Sequence, residues 1–320
     1  VNIFKDEKIK NFNLKYKKII NQIEEMVFLT NFKQNEFLEK KYKNRTKIKS
    51  NISKTKFLSN VKKAKKYIKL GDIFQVVLSQ RFETKLSKDP IEIYKKLRKT
   101  NPSPFMYFFN FYDFQIIGAS PEILVRLRDN KITIRPIAGT RPRGSSGLQD
   151  IELLKELINS DKEKAEHLML VDLERNDISK VCKPGSVKVN EMMSIESYAH
   201  VHHIVSNICG LKIDNITPGK IIRSLFPGGT ITGCPKVRCM EILGELEREG
   251  RGPYTGSLGY VTHSGNMDLN ILIRSMLKEK EFLYFRAGGG IVADSIPENE
   301  TFETEAKANG MLKALGSFNK

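Results

Sequence analysis

The chain has 320 residues, of which 40% are hydrophobic and 28% charged, a composition typical of a soluble globular protein with one large or two small domains. It holds no apolar run of bilayer-spanning length and no apolar signal core at its start, so we expect a cytoplasmic protein that does not bind a membrane. The four cysteines lack CxxC spacing, which indicates reduced thiols rather than a metal knuckle.

The formal net charge is +17, and the excess lies at the front of the chain. Residues 1–70 hold 20 Lys and Arg against 6 Asp and Glu, whereas the remaining 250 residues hold 34 against 31. No RNA- or DNA-binding signature accompanies this Lys-, Asn- and Ile-rich segment, so we do not expect nucleic-acid binding. The first residue is Val1 rather than Met, which indicates a fragment or an alternative start codon.

Residues 1–56 are predicted to form a basic helical segment and a linker over 44–55, with an apolar cluster of Ile19, Ile20, Ile23, Met26, Val27 and Leu29. Periodicity and Gly, Pro and Asn punctuation predict helices over 58–70, 89–99, 148–173, 218–225, 236–247 and 303–315. Strands are predicted over 74–81, 106–111, 115–119, 123–127, 131–136, 186–189, 203–209, 259–262, 271–279 and 282–287. We expect a meander across 106–127 and a closing hairpin over 271–287. Hairpin-linked strands without regular βαβ alternation indicate an α+β fold.

The last forty residues combine glycines with charged side chains. Gly288, Gly289 and Gly290 are consecutive, and they allow backbone amides to approach an anion as a nest because no Cβ intervenes. If the following stretch is helical, Glu300, Glu303 and Lys307 share one face. This combination predicts a metal ion that holds a carboxylate substrate.

The same carboxylate spacing occurs earlier, at Glu163 and Glu166. Like charges three residues apart on a helix are mildly unfavourable, and one such pair is typical of a solvated face. Two pairs, one of them beside a glycine triplet, favour a divalent cation that turns the repulsion into chelation.

Two glycine loops carry hydroxyl groups. Gly139-Thr140 ends a predicted strand and offers an amide and a hydroxyl, although an ordinary turn has the same sequence. Residues 226–236 are predicted to open the helix at 236 and to put Thr230 and Thr232 near its amino end, a natural anion site. Cys234 lies in this loop before a proline without an obvious base, so we interpret it as packing.

Single polar residues elsewhere are further candidates. His202 and His203 point to opposite faces of a predicted strand, and we prefer His203 as the site residue. Tyr254 lies in a glycine-flanked turn. Arg274, amid strand-like apolar residues, suits either a substrate carboxylate or a protein carboxylate as partner. Neither a dinucleotide fingerprint nor a phosphate-binding P-loop occurs.

Together these segments resemble the chorismate-utilising enzymes and, within them, the synthase subunits that make anthranilate. The resemblance spans about residues 57–315. It depends on the motifs at 71–81, 101–106, 118–122, 136–144, 165–177, 226–236 and 287–307.

The resemblance implies two antiparallel β-sheets packed together and flanked by helices, with 57–320 as the catalytic domain. It implies Mg²⁺ as cofactor, ligated by Glu166 and Glu303, with Glu163 and Glu300 close by. The groups implied to hold the carboxylates of chorismate are Gly139, Thr140, Tyr254, Arg274 and the amides of Gly288, Gly289 and Gly290. The residues implied to line the ring are His203, Thr230 and Lys307.

The implied chemistry suits these residues because chorismate is a dianion. Ammonia adds at C2, and removal of the C2 proton then expels pyruvate and makes the ring aromatic. Glu163 is the candidate general acid for the departing C4 hydroxyl. The base stays open between His203 and Lys307.

Two positions discriminate within the family: Gln75 disfavours the addition of water, and Ala138 favours anthranilate as the product. Water-adding members of the family have a lysine where this chain has Gln75, and many aminodeoxychorismate synthases have a nucleophilic lysine at Ala138. Residues 201–203, 228–232 and 288–290 instead look more like the aminodeoxychorismate synthase branch. No glutaminase nucleophile motif is present, so ammonia is expected from solution or from a separate glutamine amidotransferase subunit.

The segment before residue 57 is much shorter than the amino-terminal portion usual in the family, so the sequence leaves feedback inhibition by tryptophan open. An inactive truncated homologue is therefore a rival interpretation. A basic binding protein without enzymatic activity is a second rival, although it would have little use for two carboxylate pairs.

Overall fold

The computed structural model describes residues 12–31, 48–86, 89–198 and 201–315. Contacts divide the chain into two compact units, Val1–Asn44 and Arg45–Lys320. The described part of the first unit is helix α1 (Phe12–Asn31), on which Ile23, Met26 and Val27 are exposed. The Leu29 side chain, part of the predicted apolar cluster, lies outside the described residues. The domain boundary at residue 57 stays a prediction.

Helices and strands of the second unit alternate irregularly along the chain. The helices are α2 (Lys54–Lys69), α3 (Pro90–Thr100), α4 (Gly147–Asn159), α5 (Asp161–Ser179), α6 (Pro218–Leu225), α7 (Lys236–Glu247) and α8 (Pro297–Leu315). The strands are β1 (Lys49–Ser50), β2 (Gln75–Lys85), β3 (Phe105–Asn110), β4 (Phe114–Ser120), β5 (Ile123–Arg128), β6 (Lys131–Ile134), β7 (Ile137–Pro142), β8 (Lys188–Ser197), β9 (Val201–Leu211), β10 (Gly233–Cys234), β11 (Ser257–Val261), β12 (Met267–Ile271), β13 (Ser275–Glu279) and β14 (Phe282–Ile291).

The strands form two antiparallel sheets. Sheet one has the order β1-β2-β14-β13-β4-β3, with β10 also paired to β2. Sheet two has the order β11-β12-β5-β6-β9-β7, with β8 also paired to β9. Leu272, Tyr107 and Ile116 form a small apolar cluster with Leu258 of β11, so side chains of both sheets meet there. The predicted α+β fold with two packed antiparallel sheets is confirmed.

The chain crosses between the sheets at two places that the sequence did not reveal. Strands β4 and β5 are joined by only Pro121 and Glu122 yet belong to different sheets, so the meander predicted across 106–127 is wrong. The single strand predicted over 271–279 is wrong as well, because residues 272–274 carry the chain from β12 in sheet two to β13 in sheet one. Arg274 makes this turn with φ 49°, in the left-handed region.

Helices flank both sheets. Helices α3 and α8 pack on sheet one through Ile93, Leu97 and Met311, and α5 and α6 pack on sheet two through Val171 and Ile221. These side chains are buried, and each contributes roughly 1.5–3 kcal/mol of hydrophobic free energy. Along the described residues, no helix is both long and apolar enough to span a bilayer.

The helix predicted over 148–173 is in fact two helices. Ser160 ends α4 and caps α5, and its hydroxyl accepts a hydrogen bond from the amide of Glu163 at 3.3 Å. Serine favours this dual role because its side chain replaces the missing intrahelical acceptor of a first turn. The break puts Glu163 in the first turn of α5.

Candidate active site

Three predicted carboxylates face one strand. A Cβ built on Gly289 lies 3.2 Å from Oε2 of Glu300 and 3.7 Å from Oε1 of Glu303, both on α8. A Cβ built on Gly290 lies 3.5 Å from Oε1 of Glu166 on α5. The glycines therefore leave the space that the carboxylates and, at Gly290, the Gln75 amide fill. The charge of Glu163 acts on Glu166, and we call Glu163, Glu166, Glu300 and Glu303 the carboxylate cluster.

The glycine triplet does not form the predicted nest. Gly288, Gly289 and Gly290 are extended and pair with Ser79, Leu78 and Val77 of β2. Nests need backbone of alternating hand, which a paired strand does not supply. Their role in substrate binding stays a prediction.

Electrostatic repulsion links the members of the cluster. Burial raises the pKa of Glu166, and the charges of Glu163 and Glu303 raise it further. Burial also raises the pKa of Glu300, whose Oε2 is buried without a hydrogen-bond partner. Repelling carboxylates of this kind are stabilised by a cation.

Two neighbours partly offset this repulsion. Gln75 donates a hydrogen bond from Nε2 to Oε1 of Glu166 at 3.0 Å, and Nζ of Lys307 lies 2.7 Å from Oε1 of Glu303. Across the described ranges, no three His, Cys, Asp or Glu side chains are grouped closely enough to ligate one metal ion. The oxygen donors nevertheless match the ligand chemistry of Mg²⁺.

Glu163 forms an ion pair beside a bulged strand. Its Oε1 accepts from Nη1 of Arg141 at 3.1 Å, and Nε of the same arginine donates to Glu156 at 2.9 Å. The glycine turn predicted at 139–140 is wrong, because these residues belong to β7, whose register with β9 shifts between Ala138 and Thr140. Gly139 has φ 72°, and a Cβ there lies 3.2 Å from Oε2 of Glu163.

His203 lies on the opposite strand of the same ladder. Its Nδ1 is 2.9 Å from Oγ1 of Thr140, so these two predicted site residues are in contact. Burial, together with the charge of Arg274, lowers the pKa of His203 to about 4, so the imidazole is neutral near pH 7. The neighbouring His202 points away, to Asp150 and Ser197, which confirms the opposite faces predicted for the two histidines.

Glu122 is a site candidate that we did not predict. It is 6% exposed and lies at the crossing from β4 to β5. Burial raises its pKa to about 8, although Thr230, Arg274 and Lys307 each lower it. We call Glu122 and Arg274, which lie where the chain passes from β4 to β5 and from β12 to β13, the sheet junction. The available signal was a glutamate directly after a proline between two buried strands, but nothing in the sequence showed that the strands belong to different sheets.

Thr230 faces the sheet junction from a short 3₁₀ turn, Gly229–Ile231. Its Oγ1 is buried without a hydrogen-bond partner of ordinary geometry, yet it lies close enough to Glu122 to lower the pKa of that carboxyl. Helix α7 begins at Lys236 as predicted, after β10 and Pro235, and the anion site near its amino end stays a prediction. Thr232 donates its hydroxyl to the carbonyl oxygen of Gly228 at 2.8 Å.

Lys307 connects the two groups of residues. Its charge lowers the pKa of Glu122 and His203 at the junction and the pKa of Glu166 and Glu300 in the cluster. One ammonium group is therefore near both, and we treat them as one site. His203 and Arg274 also line a cleft with Asn101, Pro102, Ser103, Pro104, Pro121, Tyr198 and Val201.

Tyr254 contacts a different set of groups. The guanidinium of Arg251 lies 5.6 Å from the centroid of its ring, and burial raises the pKa of the phenol to about 12. Glu247 and Arg286 also influence this pKa. The structure thus pairs Tyr254 with Arg251, and its predicted contact with substrate stays a prediction.

Comparisons with known proteins identify relatives along most of the chain. A family profile for chorismate binding enzymes matches residues 3–313. The anthranilate synthase component 1 of Aquifex aeolicus is 48% identical over 267 residues, which are 83% of this chain and 54% of that protein. The aminodeoxychorismate synthase component 1 of Bacillus subtilis is 50% identical over 251 residues, 78% of this chain and 53% of that protein.

Structural comparison agrees. The crystal structure of anthranilate synthase component I from Streptococcus pneumoniae matches with a TM-score of 0.83 at 40% identity, covering 92% of this chain and 65% of that one. The chain spans about half the length of the curated relatives it matches.

Proposed function

The chain belongs to the chorismate binding enzyme family, and from this premise we propose that it aminates chorismate with ammonia at C2 and eliminates pyruvate to give anthranilate. This reaction is the first committed step of tryptophan synthesis. The observation that carries the proposal is that the charge of Lys307 acts on carboxyl groups of both the carboxylate cluster and the sheet junction. A dianionic substrate bound between them meets cationic side chains on one side and oxygen ligands for a metal on the other.

We propose that Glu166 and Glu303 hold Mg²⁺, with Glu300 beside them. Their support is the convergence of carboxylates on Gly289 and Gly290 and the mutual repulsion that raises the pKa of Glu166. When bound, Mg²⁺ supplies Lewis-acid polarisation to the substrate carboxylate. Glu303 contacts Lys307 through one oxygen, Oε1, and a carboxylate has lone pairs for more than one partner.

Two carboxyl groups are candidates for protonating the C4 hydroxyl as it leaves. The sequence favours Glu163, which is ion-paired with Arg141. The structure also supports Glu122, because burial keeps that carboxyl protonated up to about pH 8. A general acid must carry its proton at the working pH, so Glu122 is the stronger candidate.

The base that removes the C2 proton is proposed to be His203. The imidazole is neutral near pH 7 because burial lowers its pKa to about 4, and a neutral imidazole can accept a proton. Lys307, the other candidate, is engaged with Glu303 as an ammonium donor. Thr140 fixes the ring of His203 through Nδ1.

Aminodeoxychorismate synthesis is the alternative activity. The Bacillus subtilis relative is as similar to this chain as the anthranilate synthases are, so overall identity does not separate the two products. Ala138 favours anthranilate, because it is buried in β7 where a nucleophilic lysine is expected for many enzymes of the other branch.

We propose that ammonia comes from a separate amidotransferase subunit. The relatives are called component 1, which fits a second component. Burial raises the pKa of the Cys182, Cys234 and Cys239 thiols, so these cysteines are poor nucleophiles for releasing ammonia from glutamine.

The test is to incubate the purified chain with chorismate, Mg²⁺ and ammonium salt at mildly alkaline pH and to identify the product by chromatography. We expect anthranilate, with none formed when glutamine replaces ammonium. Aminodeoxychorismate would establish the alternative. If a cooperatively folded chain turns over nothing, the interpretation as an inactive truncated homologue replaces this proposal. Glu303→Gln should abolish turnover, whereas Glu305→Gln, on an exposed face of α8, is the matched control.

A further inference from the structure

Helix α5 carries two groups of acidic side chains. Glu163 and Glu166, near its start, belong to the carboxylate cluster. Glu174 and Asp177, two turns further on, are 5% and 2% exposed and have no part in the chemistry described so far. Carboxylates this deeply buried need specific partners, and those partners indicate what the residues do.

Glu174 holds the backbone of the 3₁₀ turn. The amides of Gly229 and Thr230 face its carboxylate and lower its pKa. The approach is close, because a Cβ built on Gly229 lies 2.4 Å from Cδ2 of Leu173 and 3.2 Å from Oε1 of Glu174. A side chain at position 229 would have to displace Leu173 or move the turn away from α5.

Asp177 holds the far end of the same loop. It forms ion pairs with Lys236, the first residue of α7, and with Lys180 at 2.7 Å. Nζ of Lys236 also donates to the carbonyl oxygen of Leu225 at 3.3 Å. Both ends of the loop over 226–236 are therefore fastened to α5.

Resting on the proposed function, we propose that Glu174 is a positioning residue of the active site: by holding the amides of Gly229 and Thr230, it fixes the Thr230 hydroxyl against Glu122. The Asp177–Lys236 ion pair secures the loop from its other end. The buried Oγ1 of Thr230 has no hydrogen-bond partner of ordinary geometry, so its position depends on the turn that carries it. One helix thus aligns the carboxylate cluster and the sheet junction.

Charge supports the same assignment. Burial is the main cause that raises the pKa of Glu122, and the charge of Glu174 raises it further, against Thr230, Arg274 and Lys307. Glu174 itself faces Asp177 and Lys236. Removing the charge of Glu174 while keeping an acceptor should therefore lower the pKa of Glu122.

A double-mutant cycle tests whether Glu174 acts through Thr230. We expect Glu174→Ala to lower kcat about 10-fold to 100-fold in the wild-type background, but less than about threefold in the Thr230→Val background. If the loss of kcat in the double mutant equals the product of the losses in the two single mutants, Glu174 acts by another route and the proposal is overturned. Asp172→Asn is the control, since Asp172 lies on the same helix with its side chain 65% exposed and should leave kcat unchanged.

Glu174→Gln separates positioning from general stability. Gln keeps a carbonyl acceptor, so kcat near pH 7 should recover to within about threefold of wild type. The alkaline limb of the kcat–pH profile, where Glu122 loses its proton, should move to lower pH because the like charge is gone. The assignment would be contradicted if Glu174→Gln had a kcat as low as that of Glu174→Ala and an alkaline limb at the same pH as wild type.

One measurement does not depend on turnover. Hydrogen exchange of peptides spanning 226–236, read by mass spectrometry, should accelerate at least about tenfold in Glu174→Ala and stay unchanged in Asp172→Asn. If the wild-type chain forms no product, the proposed reaction fails, and this exchange alone then decides the positioning role. Unchanged exchange in Glu174→Ala would overturn that role.

Discussion

The Gln75 side chain donates a hydrogen bond from Nε2 to Oε1 of Glu166 at 3.0 Å. Gln75 is 2% exposed, and a Cβ built on Gly290 lies 2.2 Å from its Nε2, so the amide has room only because position 290 is glycine. A neutral donor orients the carboxylate without neutralising it. The charge of Glu166 thus stays available for a cation.

Replacing this neutral donor by a charged one should impair metal binding. In Gln75→Lys, an ammonium group next to Glu166 competes with Mg²⁺, and we expect the Mg²⁺ concentration for half-maximal amination to rise about tenfold. Gln75→Met, similar in size but without a donor or a charge, is the matched control and should change this concentration less. Equal Mg²⁺ requirements in the two variants would contradict the assignment of Glu166 as a ligand.

Alanine substitutions in the glycine triplet should have different effects on the stability of the fold and on Mg²⁺ binding. A Cβ on Gly288 lies 2.5 Å from the carbonyl oxygen of Leu78, which is backbone and cannot yield, so Gly288→Ala should destabilise the fold by about 2 kcal/mol or more. A Cβ on Gly289 lies 3.2 Å from the Glu300 carboxylate, which can move. Gly289→Ala should cost less than about 1 kcal/mol of unfolding free energy but weaken Mg²⁺ binding at least about tenfold.

Urea denaturation and Mg²⁺ titration of both variants check this prediction. Gly290→Ala, which displaces the Gln75 amide, should resemble Gly289→Ala in its Mg²⁺ affinity. A Gly289→Ala variant that unfolds as easily as Gly288→Ala would mean that the triplet serves only the packing of β14 on β2.

Local sequence signals predicted most elements of this fold. The errors occurred where the structure depends on contacts between residues that are distant in the sequence. The helix over 236–247 and the closing hairpin were predictable, because periodicity and turn residues are local properties. The crossings at Pro121–Glu122 and at 272–274 were not, since a strand that changes sheet has the same alternation as one that stays. The break at Ser160 was missed because a serine that caps one helix and ends another looks like any polar position in a long helix.

The site residues were also predictable where local spacing determines their position, and not where tertiary contacts determine it. Helical spacing correctly brought Glu300, Glu303 and Lys307 to one face, and the cluster with Glu166 is observed. Glu122 was missed because its importance comes from burial at the junction, and burial depends on tertiary contacts. The nest was wrong because Gly288–Gly290 are extended in β14, whereas a nest needs backbone of alternating hand; the anion site near α7 stays a prediction.

The unfolding free energy should depend on pH because Glu122 is buried. Its pKa is raised from about 4.5 to about 8, so the folded protein keeps a proton that the unfolded chain has released in this window. Unfolding free energy therefore falls as pH rises from about 4.5 to 8 and is unaffected by this group above 8. Glu122→Gln does not titrate, so its melting temperature relative to wild type should increase across that window and then level off. A constant difference would mean that Glu122 is not protonated in the fold.

The proton donor should be identifiable by kinetics. If Glu122 is the general acid, Glu122→Gln should lower kcat at least about 100-fold and remove the alkaline limb of its pH profile. Glu163→Gln, which loses the ion pair with Arg141, should lower kcat less and leave that limb in place. The reverse pattern would restore Glu163 as the donor.

Arg274 combines a functional charge with a strained backbone, and the two can be separated. Its φ of 49° resembles the 53° of Arg248, an exposed residue at the end of α7. Glycine relieves left-handed strain, so Arg274→Gly and Arg248→Gly should each gain about 0.5–1 kcal/mol from the backbone. Only Arg274→Gly should lose chorismate binding, with KM rising at least about tenfold.

The same variant should also alter the titration of Glu122. The charge of Arg274 lowers the pKa of Glu122, so its removal should keep that carboxyl protonated to higher pH and move the alkaline limb of kcat upward. Arg274→Lys keeps the charge but not the paired donors, so it should raise KM with little movement of the limb. If Arg274→Gly and Arg248→Gly have the same KM, Arg274 serves only to turn the chain between the sheets.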